Sequence, residues 1–345
     1  MSGVDRLDRY QRKHAWLGVP IAVIYKFFDG RGLYLAAVIT YYAFLSLFPL
    51  LLLSFSILGF VLQGAPELRA DLENAALEKL PGIGAHLGTG IQHFQGSGLA
   101  LVVGVVGLLY GGLGATQAAQ ASFNQIYAVP RNEQPNPIKS RIRSLGLLAL
   151  LGTGVLLSTG LAALLTTANG VSRQLGTTIL VAGYVLNYLL NFALFSVAFR
   201  LLTTRDLRIR QVMRGGLVAA ALYLLVQIFG TTYVTHVAKA SVYQAFAVVI
   251  GTLLWMYLQS LILVLAAEIN VVTDLRLWPR ALLTPFTDEV ELTSADRRVY
   301  AMYATTQRFK GFERVTVAFA DPPSGHPSGP SGHIPAEADP PAQQD

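Results

Sequence analysis

Six apolar runs decide what this chain can fold into. A helix needs roughly 20 consecutive apolar residues to cross the hydrocarbon core of a bilayer. Leu33–Leu62, Leu99–Ala119, Leu145–Ala168, Ile179–Leu202, Val212–Val234 and Phe246–Val272 all reach that length. Backbone polar groups in lipid must be satisfied within their own segment, so such runs span as helices. The expected fold is all-α, a polytopic bundle of six transmembrane helices. The first run contains Pro49, which has no N–H to donate and crowds the preceding turn, so this helix is expected to be kinked or broken there. Composition agrees. Of 345 residues, 53% are hydrophobic and 13% charged, against about 25% charged in a soluble domain.

Loop charges set the direction. Arg6, Arg9, Arg12, Lys13, Lys26 and Arg31 precede the first run. Arg131, Lys139, Arg141 and Arg143 separate the second from the third, and Arg200, Arg205, Arg208, Arg210 and Arg214 surround the junction of the fourth and fifth. The alternate loops are poor in cations: residues 64–98 set Glu67, Asp71, Glu73 and Glu78 against Arg69 and Lys79, and the other two hold only Arg173 and Lys239. The positive-inside rule then puts both termini in the cytoplasm, loop 64–98 in the periplasm, and an even number of crossings between them. The same bias accounts for the net charge of +6, so no nucleic-acid partner is expected. The first apolar run is too long for a cleaved signal peptide.

Four regions follow. Residues 1–31 form a cytoplasmic N-terminus with an interfacial helix, Trp16–Phe28, whose Trp16, Tyr25 and Lys26 suit the head-group level. Residues 32–273 form the membrane domain. Residues 274–319 make a small cytoplasmic segment with a helix at Ser294–Thr306 and a strand at Arg314–Ala318. Residues 320–345 are rich in Pro, Gly and Ser and are expected to be disordered. In the periplasmic loop, Pro66–Leu80 carries Leu68, Leu72, Ala75, Ala76 and Leu80 on one face, the pattern of a surface helix.

Polar and small residues are ordered within the runs. Gly104, Gly107, Gly111, Gly114 and Ala118 recur at intervals of three and four, which lets two helix backbones approach closely. The fourth run places Tyr184, Asn187, Tyr188 and Asn191 on one face, and the fifth aligns Tyr223, Gln227, Thr231 and Thr235. In the sixth, Tyr257 and Glu268 are eleven residues apart, about 20° in azimuth. Two readings are open: the rows line a cavity that water or a head group enters, or they are polar packing. Glu268 lies roughly 6 Å from the end of its helix at 1.5 Å per residue. It can snorkel to the interface, pair with Arg31 or Arg276, or stand on a substrate or proton path.

Three motifs carry a resemblance. "AVITYYAFLSLFPLLLL" (37–53) supplies Tyr41, Tyr42, Ser46 and Pro49; "ASFNQIYAVP" supplies Asn124 and Tyr127; "LLWMYLQSLILVLAAEIN" supplies Trp255, Tyr257, Glu268 and Asn270. Together they resemble the YihY/BrkB family of bacterial inner-membrane proteins over roughly residues 15–275. The chain departs from the family pattern at Tyr243, which Gln244 and Ala247 follow where Gly is usual, and at Ala267. The resemblance implies a multi-pass protein of the bacterial inner membrane. The family once carried the label ribonuclease BN, members are called virulence factors, and some are suspected of moving lipids.

Ribonuclease chemistry does not fit the residues. Metal-assisted phosphodiester cleavage needs clustered carboxylates or histidines. His14, His86, His93, His236, His326 and His333 show no ligand spacing, and Glu268 is the only carboxylate within a run. No Walker-type phosphate loop occurs. The expectation is therefore a non-enzyme with neither metal nor cofactor: a transporter or flippase for a lipid-like or amphipathic anionic substrate. Its path would run along the fourth, fifth and sixth runs, with Asn270 beside Glu268 at the mouth. Its partners would be membrane lipids, whose anionic head groups Arg141, Arg143, Arg205, Arg208 and Arg210 would gather. The alternative is a non-transporting scaffold for envelope assembly. Substrate identity and oligomeric state stay open.

Overall fold

A computed structural model of the chain describes residues 3–61, 67, 70, 98–169, 176–236, 244–284 and 290–319. Among these every regular element is a helix, and there are no strands. Two short helices lead, α1 (Gly3–Lys13) and α2 (Ala15–Asp29). Six long ones follow: α3 (Gly32–Val61), α4 (Gly98–Ile126), α5 (Pro137–Asn169), α6 (Gly176–Leu202), α7 (Ile209–His236) and α8 (Gln244–Asp274). A last helix, α9, covers Ser294–Thr305.

The six long helices coincide with the six apolar runs. Within the described residues, four stretches are long and apolar enough to cross a membrane: Pro137–Ser158, Val181–Leu202, Ile209–Gln227 and Val249–Asp274. In α3 the described apolar stretch is shorter, Gly32–Leu47.

Packing orders these helices as a ring. Each of α3 to α8 lies against its sequence neighbour, and α8 closes on α3. α8 also touches α2 and α4, and α4 also touches α6, so these two helices have the most neighbours in the bundle. One end of the ring gathers the starts of α3, α5 and α7, the finishes of α4, α6 and α8, and the connections 127–136 and 203–208, with Arg131, Lys139, Arg141, Arg143, Arg205, Arg208 and Arg210 among them; it is called the basic end below. There the interior is dense. Phe123 stacks on Phe199 at 5.6 Å, and Leu147, Val212, Val264, Ala267 and Val271 are all buried.

The glycines of α4 work as their spacing predicts. A side chain at Gly107 would begin 2.8 Å from the Pro49 ring, one at Gly111 would begin 3.0 Å from the Ser46 backbone, and one at Gly114 would begin 2.9 Å from the Tyr42 ring. Each is closer than atoms in contact normally come. Helix α3 is not broken at Pro49; it continues unbroken from Gly32 to Val61, with the proline set against Gly107. One missing hydrogen bond does not outweigh the turns formed on either side.

Beneath the basic end, the chain termini of the described region form one layer. Arg280 is fully buried and hydrogen-bonds Asp296 and, at 3.0 Å, Asp29, while its guanidinium faces the Tyr300 ring at 5.6 Å. The Arg280 carbonyl accepts from Gln11 Nε2 at 2.6 Å, and the Leu282 carbonyl accepts from the Tyr25 hydroxyl at 2.7 Å. Thr293 and Asp296 form a capping box that starts α9. Burial opposes the Arg280 charge, yet the Asp296 and Asp29 carboxylates outweigh it and hold its pKa above the ordinary value.

Two local expectations fail. Residues 313–319 are irregular rather than a strand, because no ladder partner lies beside them among the described residues. Lys26 does not reach head-group level; α2 packs against α8 and buries it, although Trp16 stays 67% exposed. Apart from Glu67 and Ala70, the Pro66–Leu80 helix lies outside the described residues, as do the rest of loop 64–97, Tyr243, residues 320–345 and the side chains of Thr231 and Thr235.

Candidate functional site

Asn124, Tyr127, Glu268 and Asn270, from two of the family-like motifs, lie at the basic end. Glu268 projects from α8 toward α2, where Lys26 Nζ lies 2.6 Å from its Oε2; both side chains are closed to solvent, at 1% and 0% exposure. Lys26 also donates to the Ile126 carbonyl at 2.9 Å, which ends α4, and stands 5.9 Å from the Tyr303 ring centre. The Tyr303 hydroxyl donates to the Lys26 carbonyl at 3.2 Å. One pair thus joins α2, α4, α8 and α9. The other carboxylate oxygen, Oε1, has no hydrogen-bond partner. It faces Gly30, where a side chain would begin 3.3 Å away.

Glu268 therefore neither snorkels nor pairs with Arg31 or Arg276. Its partner is 242 positions away, and an ion pair between distant elements leaves no periodic trace. A local signal was nonetheless present: Lys26 shares its helix face with Ala22, Val23 and Phe27, all buried. A lone cation amid small and apolar residues needs an acid in the core.

Asn270 and Asn124 play different parts. Asn270 Oδ1 accepts from the Gly215 N–H of α7 at 2.7 Å, and any side chain at Gly215 would collide with Asn270 and the Ala266 carbonyl. Its side chain and the neighbouring Tyr127 hydroxyl face each other, and neither Nδ2 nor that hydroxyl has a partner elsewhere. Asn124 Oδ1 accepts from the Thr204 N–H at 2.9 Å and hydroxyl at 3.1 Å, which pins α4 to the α6–α7 connection. Arg143 donates to the Thr203 carbonyl at 3.3 Å in the same connection. Midway along the helices, Thr40 of α3 donates to Ser260 of α8 at 3.0 Å.

The polar rows do not converge with this cluster. On α6, Tyr184 is 65% exposed, Asn187 and Tyr188 are half-buried, and Asn191 is buried. Asn191 Nδ2 donates to its own helix, to Asn187 O at 2.8 Å and Oδ1 at 2.7 Å. Tyr188 reaches α7, donating to the Leu217 carbonyl at 3.2 Å. On α7, Gln227 donates to Tyr223 at 3.2 Å, and the Tyr223 ring meets Phe195 edge-on at 5.9 Å. Tyr257 is half-buried on α8. Tyr41 and Tyr42 are exposed, whereas Ser46 is buried and donates to its own helix at the Ala43 carbonyl, 2.8 Å away. Two α8 donors that spacing did not single out are buried without partners, Trp255 Nε1 and Gln259 Nε2.

A cleft of about 660 Å³ opens at the basic end, lined in part by Asp29, Gly30, Arg31, Gln125, Arg131 and Tyr303. The rows of α6 and α7 take no part in it. Burial raises the Tyr303 pKa, and the Glu268 charge behind it adds to the effect.

Known proteins place the chain in context. It is 28% identical over 293 residues to a UPF0761 membrane protein of Rhodospirillum centenum, covering 83% of this chain and 63% of that one. It is 31% identical over 187 residues to a UPF0761 membrane protein of Aromatoleum aromaticum, covering 51% and 43%. Against the inner membrane protein YhjD of Escherichia coli it is 26% identical over 255 residues, covering 67% and 74%. The chain spans less than two thirds of the length of the first two of these relatives. No solved structure matches it. The model of the family described as virulence factor BrkB matches residues 23–285. That range takes in all three motifs and the apolar helices that make this an integral membrane protein: the chain belongs to the virulence factor BrkB family.

Proposed function

We propose that the protein carries a lipid-like or amphipathic anionic substrate across the bacterial inner membrane, through six crossings with both termini cytoplasmic. The observation that supports this reading is a set of unmet polar atoms on one helix. Trp255 Nε1, Gln259 Nε2 and Glu268 Oε1, all on α8, are buried without a hydrogen-bond partner. Each such group costs about 1–3 kcal/mol if nothing meets it. A guest with polar oxygens, or water that precedes it, would satisfy them. α8 contacts α2, α3, α4 and α7, so a guest along it would be sensed by much of the ring.

The reading is tested in proteoliposomes by the exchange of fluorescent phospholipids between leaflets. The wild-type protein accelerates exchange, and Trp255→Phe with Gln259→Leu slows it at unchanged expression and melting temperature. No acceleration for any zwitterionic or anionic phospholipid would overturn it. A second reading, a non-transporting scaffold, is favoured by the self-contained rows, in which Asn191 bonds Asn187 and Gln227 bonds Tyr223. It expects no lipid movement and a stable partner retained through detergent extraction.

A further inference from the structure

The cleft at the basic end has a chemistry of its own. Arg31 stands at the corner between α2 and α3, in the left-handed backbone region at φ 58°. Few residues other than glycine adopt that region without a compensating reason. Arg131 follows α4, and its guanidinium lies over the Phe309 ring at 4.8 Å, which fixes its direction. Both line the cleft, with the amide side chains of Gln125, Gln134 and Gln307 between them. Neither guanidinium is paired with a carboxylate among the described residues. The one acid on the wall, Asp29, is engaged by Arg280 at 3.0 Å.

Two unpaired guanidiniums and the amides of Gln134 and Gln307 are donors in want of an acceptor, while Gln125 Nε2 donates to the Gly30 carbonyl at 3.4 Å. Arginine forks match the oxygens of a phosphate in paired hydrogen bonds, and amides complete such a shell. The floor of the cleft is Gly30, behind which lies the unpartnered Glu268 oxygen, 3.3 Å from the place a side chain would start. A bound head group would therefore rest one backbone layer from the ion pair that joins α2 to α8. We infer that this cleft is a phosphate-binding site, held by Arg31 and Arg131, that receives the head group of an anionic phospholipid. The inference deepens the transport reading by naming where the substrate is first held, and it rests on that reading for its purpose.

The test uses the full chain in phosphatidylcholine nanodiscs. Short-chain phosphatidic acid and inorganic phosphate are titrated separately, with binding followed by native mass spectrometry and intrinsic fluorescence. Phosphatidic acid is expected to bind, with a salt-dependent affinity. Arg31→Gln with Arg131→Gln weakens binding tenfold or more and flattens the salt dependence. Lys139→Gln with Arg214→Gln, of equal charge change on the same end but outside the cleft, leaves it within twofold. Inorganic phosphate that binds equally well would show a site for free phosphate compounds and overturn the lipid assignment. Equal loss in the two double variants would show diffuse attraction, and retention of wild-type affinity in the cleft variant would place binding elsewhere; either overturns the site. Binding with no lipid movement would sink the transport reading and leave the site standing, so the two failures are separable.

Discussion

Lys26 Nζ and Glu268 Oε2 sit 2.6 Å apart with both side chains closed to solvent, tying the short helix before the bundle to one of its two most connected members. Neither charge is tolerable alone in such surroundings. Removing one partner of a buried pair typically costs 3–5 kcal/mol, whereas replacing both with apolar groups of similar volume is often neutral. Lys26→Met or Glu268→Leu alone should destabilise the protein by about that amount, and the double substitution should restore most of it. Thermal unfolding in detergent measures both. If the double variant restores folding but abolishes lipid exchange, the pair serves function beyond stability; if it restores both, the pair is structural.

The α3–α4 contact predicts a contrast among glycines. Gly107→Ala would set a methyl group 2.8 Å from Pro49, and Gly111→Ala one at 3.0 Å from the Ser46 backbone. Overpacking of this kind costs typically 1–3 kcal/mol. Gly152 on α5 has nothing within 4 Å of the same position. Gly152→Ala should therefore gain up to about 1 kcal/mol in helix propensity. Equal effects at Gly107 and Gly152 in the same melting assay would contradict the packing described.

The layer beneath the basic end hangs on Arg280. Asp296→Ala removes its carboxylate and the cap of α9 together, the cap alone being worth about 0.5–2 kcal/mol. α9 and residues 275–284 contact the bundle far less than its helices contact one another, so they should open locally before the rest. Hydrogen exchange is expected to rise across 275–305 in this variant while α5–α7 keep their protection. Uniform loss of protection would mean the layer and the bundle unfold as one unit.

Alkaline pH probes Tyr303. Its folded pKa is raised above the ordinary value of 10.0, by burial first and by the Glu268 charge second. The unfolded chain then loses the phenolic proton at a lower pH than the folded one. The sign follows: stability from this group is whole below pH 10 and declines as pH climbs above it. Tyr303→Phe should lessen that decline, leaving the parts due to Tyr25 and Tyr300, both also raised chiefly by burial. A decline as steep in the variant would count against the assignment.

Helices were legible in the sequence because lipid imposes a length and a composition that nothing else produces. All six apolar runs are matched by helices, whose observed ends differ from the expected ones by as much as 8 residues, as at Pro137 for α5, where Ile138, Ile142 and Leu145 carry an exposed apolar face past the basic stretch. The spacing of Gly107, Gly111 and Gly114 was equally legible, since close approach is a property of one helix face. The partner of Glu268 was not. Spacing reports which residues share a face; it is silent on which helix that face meets. For the same reason co-facial rows on α6 and α7 suggested a common hollow, while in the fold Asn191 and Gln227 each bond within their own helix.

The number of crossings is open to a direct test because the chain has no cysteine, so any introduced one is the only thiol. α3 and α4 have 30 and 29 residues, about 45 Å each at 1.5 Å per residue, more than the roughly 30 Å of hydrocarbon. If both cross, Glu67→Cys between them lies across the membrane from Arg6→Cys and Phe312→Cys. Glu67 and Arg6 are exposed, and Phe312 is 89% exposed. In intact spheroplasts, an impermeant maleimide should then label Glu67→Cys at once and the other two only after permeabilisation. Were only α5 to α8 to span, the hairpin of α3 and α4 would stay on the side of the termini, and all three positions would label together. The loop between α3 and α4 argues for the first outcome: residues 64–98 hold only Arg69 and Lys79 as Lys or Arg, whereas the positive-inside rule enriches loops on the side of the termini in cations.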